Sequence, residues 1–114
     1  MTSITSSPAQ RVFRVNKFKV PSSARDAFLE QALQIHRLLQ TEPGLVQDFV
    51  LEQVEGSGAF NFITITIWEG AQAAEAARVA AGAKFKATGI DLKEIYGRLG
   101  VEADQSNYTE VDSV

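Results

Sequence analysis

The sequence contains no cysteine among its 114 residues, and it contains a single histidine, His36. Without cysteine the chain has no disulfide bond, no thiolate nucleophile and no zinc or iron–sulfur site of the cysteine-ligated kind. The same absence is typical of a reducing compartment, and we expect a cytoplasmic protein. A transition-metal site needs two or more nitrogen or carboxylate ligands at a fixed spacing, so one histidine argues against it. We therefore predict no metal site.

Long hydrophobic runs and clustered basic residues are also missing. No apolar run approaches the ~20 residues that a membrane-spanning helix needs, so we expect no membrane partner. The net charge is −3 and the 11 basic residues are scattered, which makes nucleic acid an unexpected partner. The first ten residues, MTSITSSPAQ, lack the basic and apolar regions of a signal peptide. We predict a disordered leader over residues 1–10 and a single domain over residues 11–112.

Strand and helix patterns alternate along the rest of the chain. Strand patterns occupy residues 11–20, 45–54, 59–70 and 101–111. Helix patterns run from Ser22 or Ser23 to about Gln40, from Gly70 to a break at Gly82, and from Asp91 to Gly100. The order β-α-β-β-α-(α)-β predicts an α+β, ferredoxin-like fold. Such a fold has one antiparallel sheet with both long helices on the same face.

The third strand, within AFNFITITIWEG, is apolar on both faces. One face carries Phe60, Phe62, Thr64, Thr66 and Trp68, and the other carries Ile63, Ile65 and Ile67. The helices cover one face and leave the other without a partner inside the chain. An exposed apolar face of this kind usually marks an interface. We therefore predict a homodimer in which two open sheet faces pack together around a twofold axis.

These motifs, taken in order, resemble the antibiotic biosynthesis monooxygenase family of the dimeric α+β barrel superfamily. The matching stretches are VNKFKVPSSARDAFL, EPGLVQDFVLEQ and NFITITIWEGAQAAEAA, and the resemblance runs from about Val12 to Tyr108. It implies a dimer whose two sheets form a barrel, with a pocket between sheet and helices in each subunit. Family members oxygenate aromatic polyketides or quinols without metal or flavin, degrade haem, or isomerise small sugar phosphates. Fold alone does not select among these activities.

Asn16 lies at a position that holds an asparagine in the haem-degrading branch, where it belongs to an Asn-Trp-His triad. The resemblance to that triad stops there. The triad tryptophan would fall near Ala77 and the triad histidine near residues 87–89, where this chain has neither. Trp68 instead matches the aromatic residue that is common at the end of the third strand in the family. Two interpretations of Asn16 stay open: a substrate contact, or a local backbone hydrogen bond near a strand end.

His36 lies inside the apolar stripe of the first helix and is expected to face the sheet on the same side as Asn16. Histidine acts as a general base near neutral pH because its unperturbed pKa is ~6.5. The alternative is a histidine at the edge of the core that bonds a carbonyl or a carboxylate. Asp48 and Glu52 share one face of the second strand, where we expect them to be solvated or at the rim of the barrel.

The second helix presents almost only alanine to the sheet. Its predicted sheet-facing residues are Ala73, Ala76, Ala77, Ala80 and Ala81. Such a helix either approaches the sheet closely or leaves room for a flat apolar ligand, and the sequence leaves both open. In the second case we expect the ligand to contact Phe18, Trp68, Ala77, Phe85 and Tyr96.

From the resemblance we expect a cofactor-independent monooxygenase that acts on a small electron-rich aromatic compound, such as a phenol, a quinol or a polyketide-like molecule. His36 would take a proton, and Asn16 would donate a hydrogen bond to the developing oxyanion. The first alternative is a non-catalytic dimeric module that binds a small hydrophobic molecule or haem. The second is a purely structural dimer with a filled pocket.

Overall fold

The computed structural model describes residues 10–111, so most of the predicted leader and the last residue of the predicted domain lie outside the described part. The elements are β1 (Val12–Lys19), a 3-10 turn (Ser22–Ala24), α1 (Arg25–Leu39), β2 (Leu45–Glu52), β3 (Phe62–Trp68), α2 (Ala71–Thr88), α3 (Leu92–Leu99) and β4 (Glu102–Thr109). Over these residues the strands form one antiparallel four-stranded sheet in the order β2-β3-β1-β4. This confirms the predicted α+β, ferredoxin-like fold.

The alternation of side chains along β3 sets the two faces of the sheet. Its residues Phe62, Thr64, Thr66 and Trp68 are buried, whereas the isoleucines between them are only partly covered. α1 and α2 pack on the buried face, because their buried residues share core clusters with Phe62 and Trp68. The opposite face, hereafter the open face, carries partly covered or exposed apolar side chains of three strands. They are Phe13, Val15, Phe49, Leu51, Ile63, Ile65 and Ile67.

The core on the helix side is split into two clusters. One cluster joins Phe18 and Phe62 of the sheet to Phe28 of α1. The other joins Val12 and Trp68 to the alanines of α2. Between them, the middle of β1 and β3 presents the polar residues Arg14, Asn16, Thr64 and Thr66. A cavity lies at this point, where polar residues interrupt the apolar core.

Two local predictions about the helices were wrong. The serines at positions 22 and 23 belong to the 3-10 turn, and α1 begins at Arg25 without a side-chain cap. α2 is not broken at Gly82 but continues to Thr88. A glycine inside a helix costs about 1 kcal/mol relative to alanine, which weakens a helix without ending it. The residue that caps the C-terminal end of α2 is Gly89, whose φ of 76° is left-handed.

The start of the short third helix follows the sequence closely. The carboxylate of Asp91 accepts a hydrogen bond from the backbone N–H of Glu94 at 3.2 Å, as predicted for an N-cap. The helix is capped at its C-terminal end by Gly100, which has a φ of 73°. α3 contributes Tyr96 to the aromatic cluster around Phe18 and Phe28.

Candidate functional site

A cavity of about 410 Å³ lies between the sheet, α1 and α2. Its volume falls in the range of roughly 300–1,000 Å³ that is usual for small-molecule sites. The structure brings to this one cavity every residue that the sequence singled out for the site. They are Asn16, Phe18, His36, Trp68, Ala77, Phe85 and Tyr96. Their roles remain predictions.

The cavity exists because α2 faces the sheet with small side chains. Ala74, Ala77 and Ala81 are buried on this helix, at the spacing of one helical face. The predicted set of sheet-facing alanines was shifted, since Ala76 is exposed and Ala74 takes its place. The alanine-rich face allowed two interpretations, a close approach to the sheet or space beside the helix. The structure shows the space.

His36 forms a close pair with Asp48. The histidine is 5% exposed, and its Nδ1 lies 2.8 Å from Oδ2 of the aspartate. Gln40 Nε2 donates to the same carboxylate oxygen at 3.3 Å. An ionised carboxylate can only accept, so the contact favours the tautomer that carries its proton on Nδ1 and leaves Nε2 as the basic nitrogen. His36 bonds a carboxylate, as the second interpretation expects, and it also lines the cavity; its role as a general base stays a prediction.

Asp48 was missed as a partner of His36 by the sequence reasoning, which placed it in solvent or at the barrel rim. It is partly buried on the helix-facing side of β2, opposite Thr66 of β3. Its sequence position gave no periodic signal that ties it to a residue in α1. Glu52, on the same strand face, is bound to Arg25 by two contacts of 2.8 Å and does not line the cavity.

Asn16 bonds a side chain and not the local backbone. Its Nδ2 donates to Oγ1 of Thr64 on the neighbouring strand at 3.2 Å, and it lies in the middle of β1. The predicted alternative, a backbone hydrogen bond near a strand end, was therefore wrong. An amide nitrogen carries two N–H groups, so one donor of Asn16 is not used by this bond.

The aromatic residues line the cavity from both ends. Phe18 packs against Tyr96 with ring centroids 5.6 Å apart, and burial raises the pKa of the Tyr96 hydroxyl above its usual range. At the other end Trp68 is 2% exposed, and its Nε1 donates to Thr66 Oγ1 at 2.9 Å. Phe85 of α2 is partly buried and also lines the cavity. The rings give the cavity a lining suited to a flat apolar molecule.

Two arginines at the cavity were not predicted as site residues. Arg14 lies on the same face of β1 as Asn16, and Arg78 projects from α2. With the Gln105 amide turned so that its oxygen faces β1, the Nε and Nη2 of Arg14 donate to it at 2.7 and 2.9 Å. Arg78 pairs with Glu75 at 2.6 Å on its own helix. Burial and the charge of Arg78 lower the pKa of Arg14 below its usual range.

Residues 10–111 contain no group of three or more histidine, aspartate or glutamate side chains placed to hold a metal ion. In the same part of the chain, none of the helices has the length and hydrophobicity needed to cross a membrane.

Solved structures with the same fold include enzymes of different activities. SnoaB, a cofactor-independent oxygenase from Streptomyces nogalater, is similar with a TM-score of 0.69 and 20% identity, over 93% of this chain and 98% of that one. A haem-degrading protein from Mycobacterium tuberculosis is similar with a TM-score of 0.61 and 20% identity, over 93% and 97% of the two chains. An ethyl tert-butyl ether (EthD) family protein from Bacillus halodurans is similar with a TM-score of 0.65 and 22% identity, over 89% and 99%. At these identities the likeness concerns the fold.

The sequence itself carries the assignment to a family. None of the curated proteins matches the chain in sequence. The family model of the antibiotic biosynthesis monooxygenase domain matches residues 11–87, which include β1 to β3 and almost all of α2. This chain belongs to the antibiotic biosynthesis monooxygenase family.

Proposed function

We propose that the protein is a cofactor-independent monooxygenase that oxidises a small electron-rich aromatic compound in the cavity. The observation that carries the proposal is the His36–Asp48 pair, which places a buried, oriented histidine at the wall of an aromatic-lined cavity. The family membership and the similarity to a cofactor-independent oxygenase support the same reaction class.

The first step is removal of a proton from the substrate. Nε2 of His36 takes the proton of a phenolic hydroxyl, and the Asp48 carboxylate stabilises the imidazolium that forms. Asp48 acts here as a positioning residue, because it holds the ring and its tautomer without touching the substrate. The electron-rich anion then passes one electron to O₂, and the resulting radical pair combines to form a carbon–oxygen bond.

The second step breaks the peroxide. The N–H of Asn16 that Thr64 does not use donates a hydrogen bond to the peroxide or the oxyanion. For 1-naphthol, the carbon–oxygen bond forms at the ring carbon para to the hydroxyl, and the imidazolium of His36 returns its proton to the peroxide. His36 then takes the remaining hydrogen of that carbon as a proton while the O–O bond breaks, and this proton and the leaving hydroxide form water. Both oxygen-bearing carbons are then carbonyls. One atom of O₂ enters the quinone and the other leaves as water. The substrate supplies all the electrons, so the balance needs no external reductant.

The remaining contacts position the ring of the substrate. Phe18 and Tyr96 bound the cavity at one end and Trp68 at the other, while Ala77 and Phe85 form the wall on α2. We assign these residues to substrate binding by packing, because none of them offers a free base.

Oxygen uptake tests the proposal. Protein freed of metal and flavin is mixed with naphthols, anthrones and quinols, and O₂ consumption is followed for wild type, His36→Ala, Asp48→Asn and Arg37→Met. We expect uptake that depends on wild-type protein, falls at least ~100-fold in His36→Ala, as is typical for loss of a general base, and is unchanged in Arg37→Met. Arg37 is exposed and does not line the cavity. Asp48→Asn removes the carboxylate that faces His36, so we expect it to change the pH dependence of the rate. A variant that only lowered the stability of the fold would leave that dependence unchanged.

A haem-binding function is the second candidate, and the same histidine favours it. Metal-ligating histidines characteristically donate their other ring N–H to a carboxylate, which is the geometry of His36 and Asp48. His36 would then bind the iron, and the haem would supply its redox chemistry. A haemin titration tests this: a shift of the Soret band in wild type that is lost in His36→Ala would favour haem, and no shift in wild type would exclude it.

We also infer that two copies pair through their open faces. In the single chain Leu51 is 45% exposed on this face, where it lies opposite Ile63 of β3 and two residues from Phe49 of its own strand. An apolar sheet face of this extent is unfavourable in water and is buried in a twofold interface without further change of the fold.

A further inference from the structure

Arg14 is a charged side chain at the wall of an otherwise largely apolar cavity. It lies on β1 two residues before Asn16, on the helix-facing side of the sheet, and it is partly buried. A guanidinium stays ionised in proteins, so its burial is unfavourable unless an opposite charge accompanies it. Among residues 10–111, no carboxylate forms an ion pair with Arg14.

None of the described neighbours of Arg14 forms an ion pair with it. Gln105 offers a neutral amide oxygen to Nε and Nη2. Glu75, the nearest carboxylate on α2, is paired with Arg78 at 2.6 Å, and Arg78 adds a second positive charge at the same wall. Asp104 also lines the cavity, but it forms no ion pair with either arginine. The charge of Glu75 also acts on Arg14, but the ion pair of Glu75 is with Arg78, so the two arginines and this one carboxylate together keep a net positive charge at the wall.

We propose that the ligand of this cavity is an aromatic compound that carries a carboxylate, and that Arg14 binds this carboxylate. The guanidinium has five N–H donors, of which Gln105 engages two nitrogens, so donors remain for an anion. This inference rests on the proposed function in one respect, because it takes the same cavity as the ligand site. It deepens that function by naming the charge that the aromatic substrate carries.

The rival explanation is that Arg14 only ties β4 to β1 through Gln105. A paired-ligand experiment separates the two. Binding of 1-hydroxy-2-naphthoate and of its uncharged methyl ester is measured by calorimetry under anaerobic conditions for wild type, Arg14→Met, Arg14→Lys and Arg37→Met. Arg37→Met removes the same charge from an exposed position outside the cavity and is the matched control.

We expect wild type to bind the acid about tenfold more tightly than the ester, as a charge-assisted hydrogen bond predicts. The ratio of the two affinities falls to about one in Arg14→Met, is intermediate in Arg14→Lys and is unchanged in Arg37→Met. Because the readout is a ratio within each variant, a general loss of stability does not mimic it. If Arg14→Met does not fold, the test is the ratio of the acid and ester affinities of Arg14→Lys, because lysine keeps the charge but lacks the planar fork of the guanidinium.

A carboxylate also occurs on the propionates of haem, and a second arm identifies that source. Haemin and its dimethyl ester are titrated against the same variants. A preference for haemin that Arg14→Met abolishes, with no preference for the naphthoate, supports the proposal and names haem as the carrier. Equal affinities for acid and ester in both arms, no binding of either acid, or a preference that persists in Arg14→Met would overturn it. The proposed oxygenase is judged separately by O₂ uptake with uncharged naphthol, so the two can fail independently.

Discussion

Substitution Ala77→Leu tests whether α2 leaves real space beside the sheet. Ala77 is 3% exposed and lines the cavity of about 410 Å³. Leucine adds three carbon atoms, and each buried methylene contributes ~0.8 kcal/mol, which gives an upper limit of about 2.4 kcal/mol. Ordering the leucine side chain costs about 0.5–1 kcal/mol. We therefore expect the variant to be more stable by about 1–2 kcal/mol.

Thermal unfolding at one fixed protein concentration measures this gain. About 4 °C per kcal/mol is reasonable for a domain of this size, so the midpoint should rise by about 4–8 °C. The same variant should lose naphthol binding and O₂ uptake, because the leucine occupies the ligand's place. Ala76→Leu is the matched control: it makes the same change on the exposed side of α2 and should change stability by less than ~0.5 kcal/mol.

The opposite result would refute the reasoning. Overpacking a filled core costs about 1–3 kcal/mol. If Ala77→Leu were destabilised by that amount while Ala76→Leu was neutral, α2 would lie too close to the sheet for a ligand. This result would favour the alternative of a purely structural dimer with a filled pocket.

Other variants test the turn, the interface and the buried tyrosine. Gly44→Ala should lower stability by at least ~1–2 kcal/mol, since φ is 86° and a Cβ would lie 2.6 Å from a neighbouring Cβ; Gly82→Ala, whose Cβ meets nothing within 4 Å, should raise stability by about 0.5–1 kcal/mol. Chemical denaturation measures the free energy of unfolding of both variants, and equal changes in the two would contradict the difference that we expect between these glycines. Ile65→Lys should convert the dimer to monomer or unfold it in sedimentation analysis, whereas Val79→Lys, exposed on α2, should not; a stable Ile65→Lys dimer would remove the interface. Burial raises the pKa of Tyr96, so its contribution to stability is complete below pH ~10 and falls as pH rises through the folded value. The tyrosinate absorbance that Tyr96→Phe removes should therefore appear above pH ~10, and its appearance at or below that pH would contradict the burial.

The sequence predicts the fold well because the fold depends on periodicity. Alternation in β3 and the apolar stripe of α1 specify which faces are buried, and turn residues separate the elements. Gly82 misled the prediction of α2, since a glycine inside a helix and a glycine at its end look alike without the packing around them. The real end at Gly89 is marked by a left-handed φ that a sequence does not display.

The site was predictable only in part. Residues on a periodic face, such as Asn16 and His36, could be placed at the pocket side from their own element. Pairings between elements could not, because they depend on strand register and helix position. Asp48 meets His36 only through the register of β2 on β3, and Arg14 meets Gln105 only through the pairing of β1 with β4. Pairwise chemistry of this kind becomes visible once three dimensions are known.

The most direct test of the central claim follows the oxygen atoms. Protein without metal or flavin is incubated with 1-naphthol or an anthrone under ¹⁸O₂, and the product and the water are analysed by mass spectrometry. We expect one ¹⁸O atom in each product molecule, the other in water, and a rate of formation of labelled product that is at least ~100-fold lower with the His36→Ala variant. Product whose new oxygen comes from water, or labelled product that forms equally with His36→Ala, would contradict the central claim.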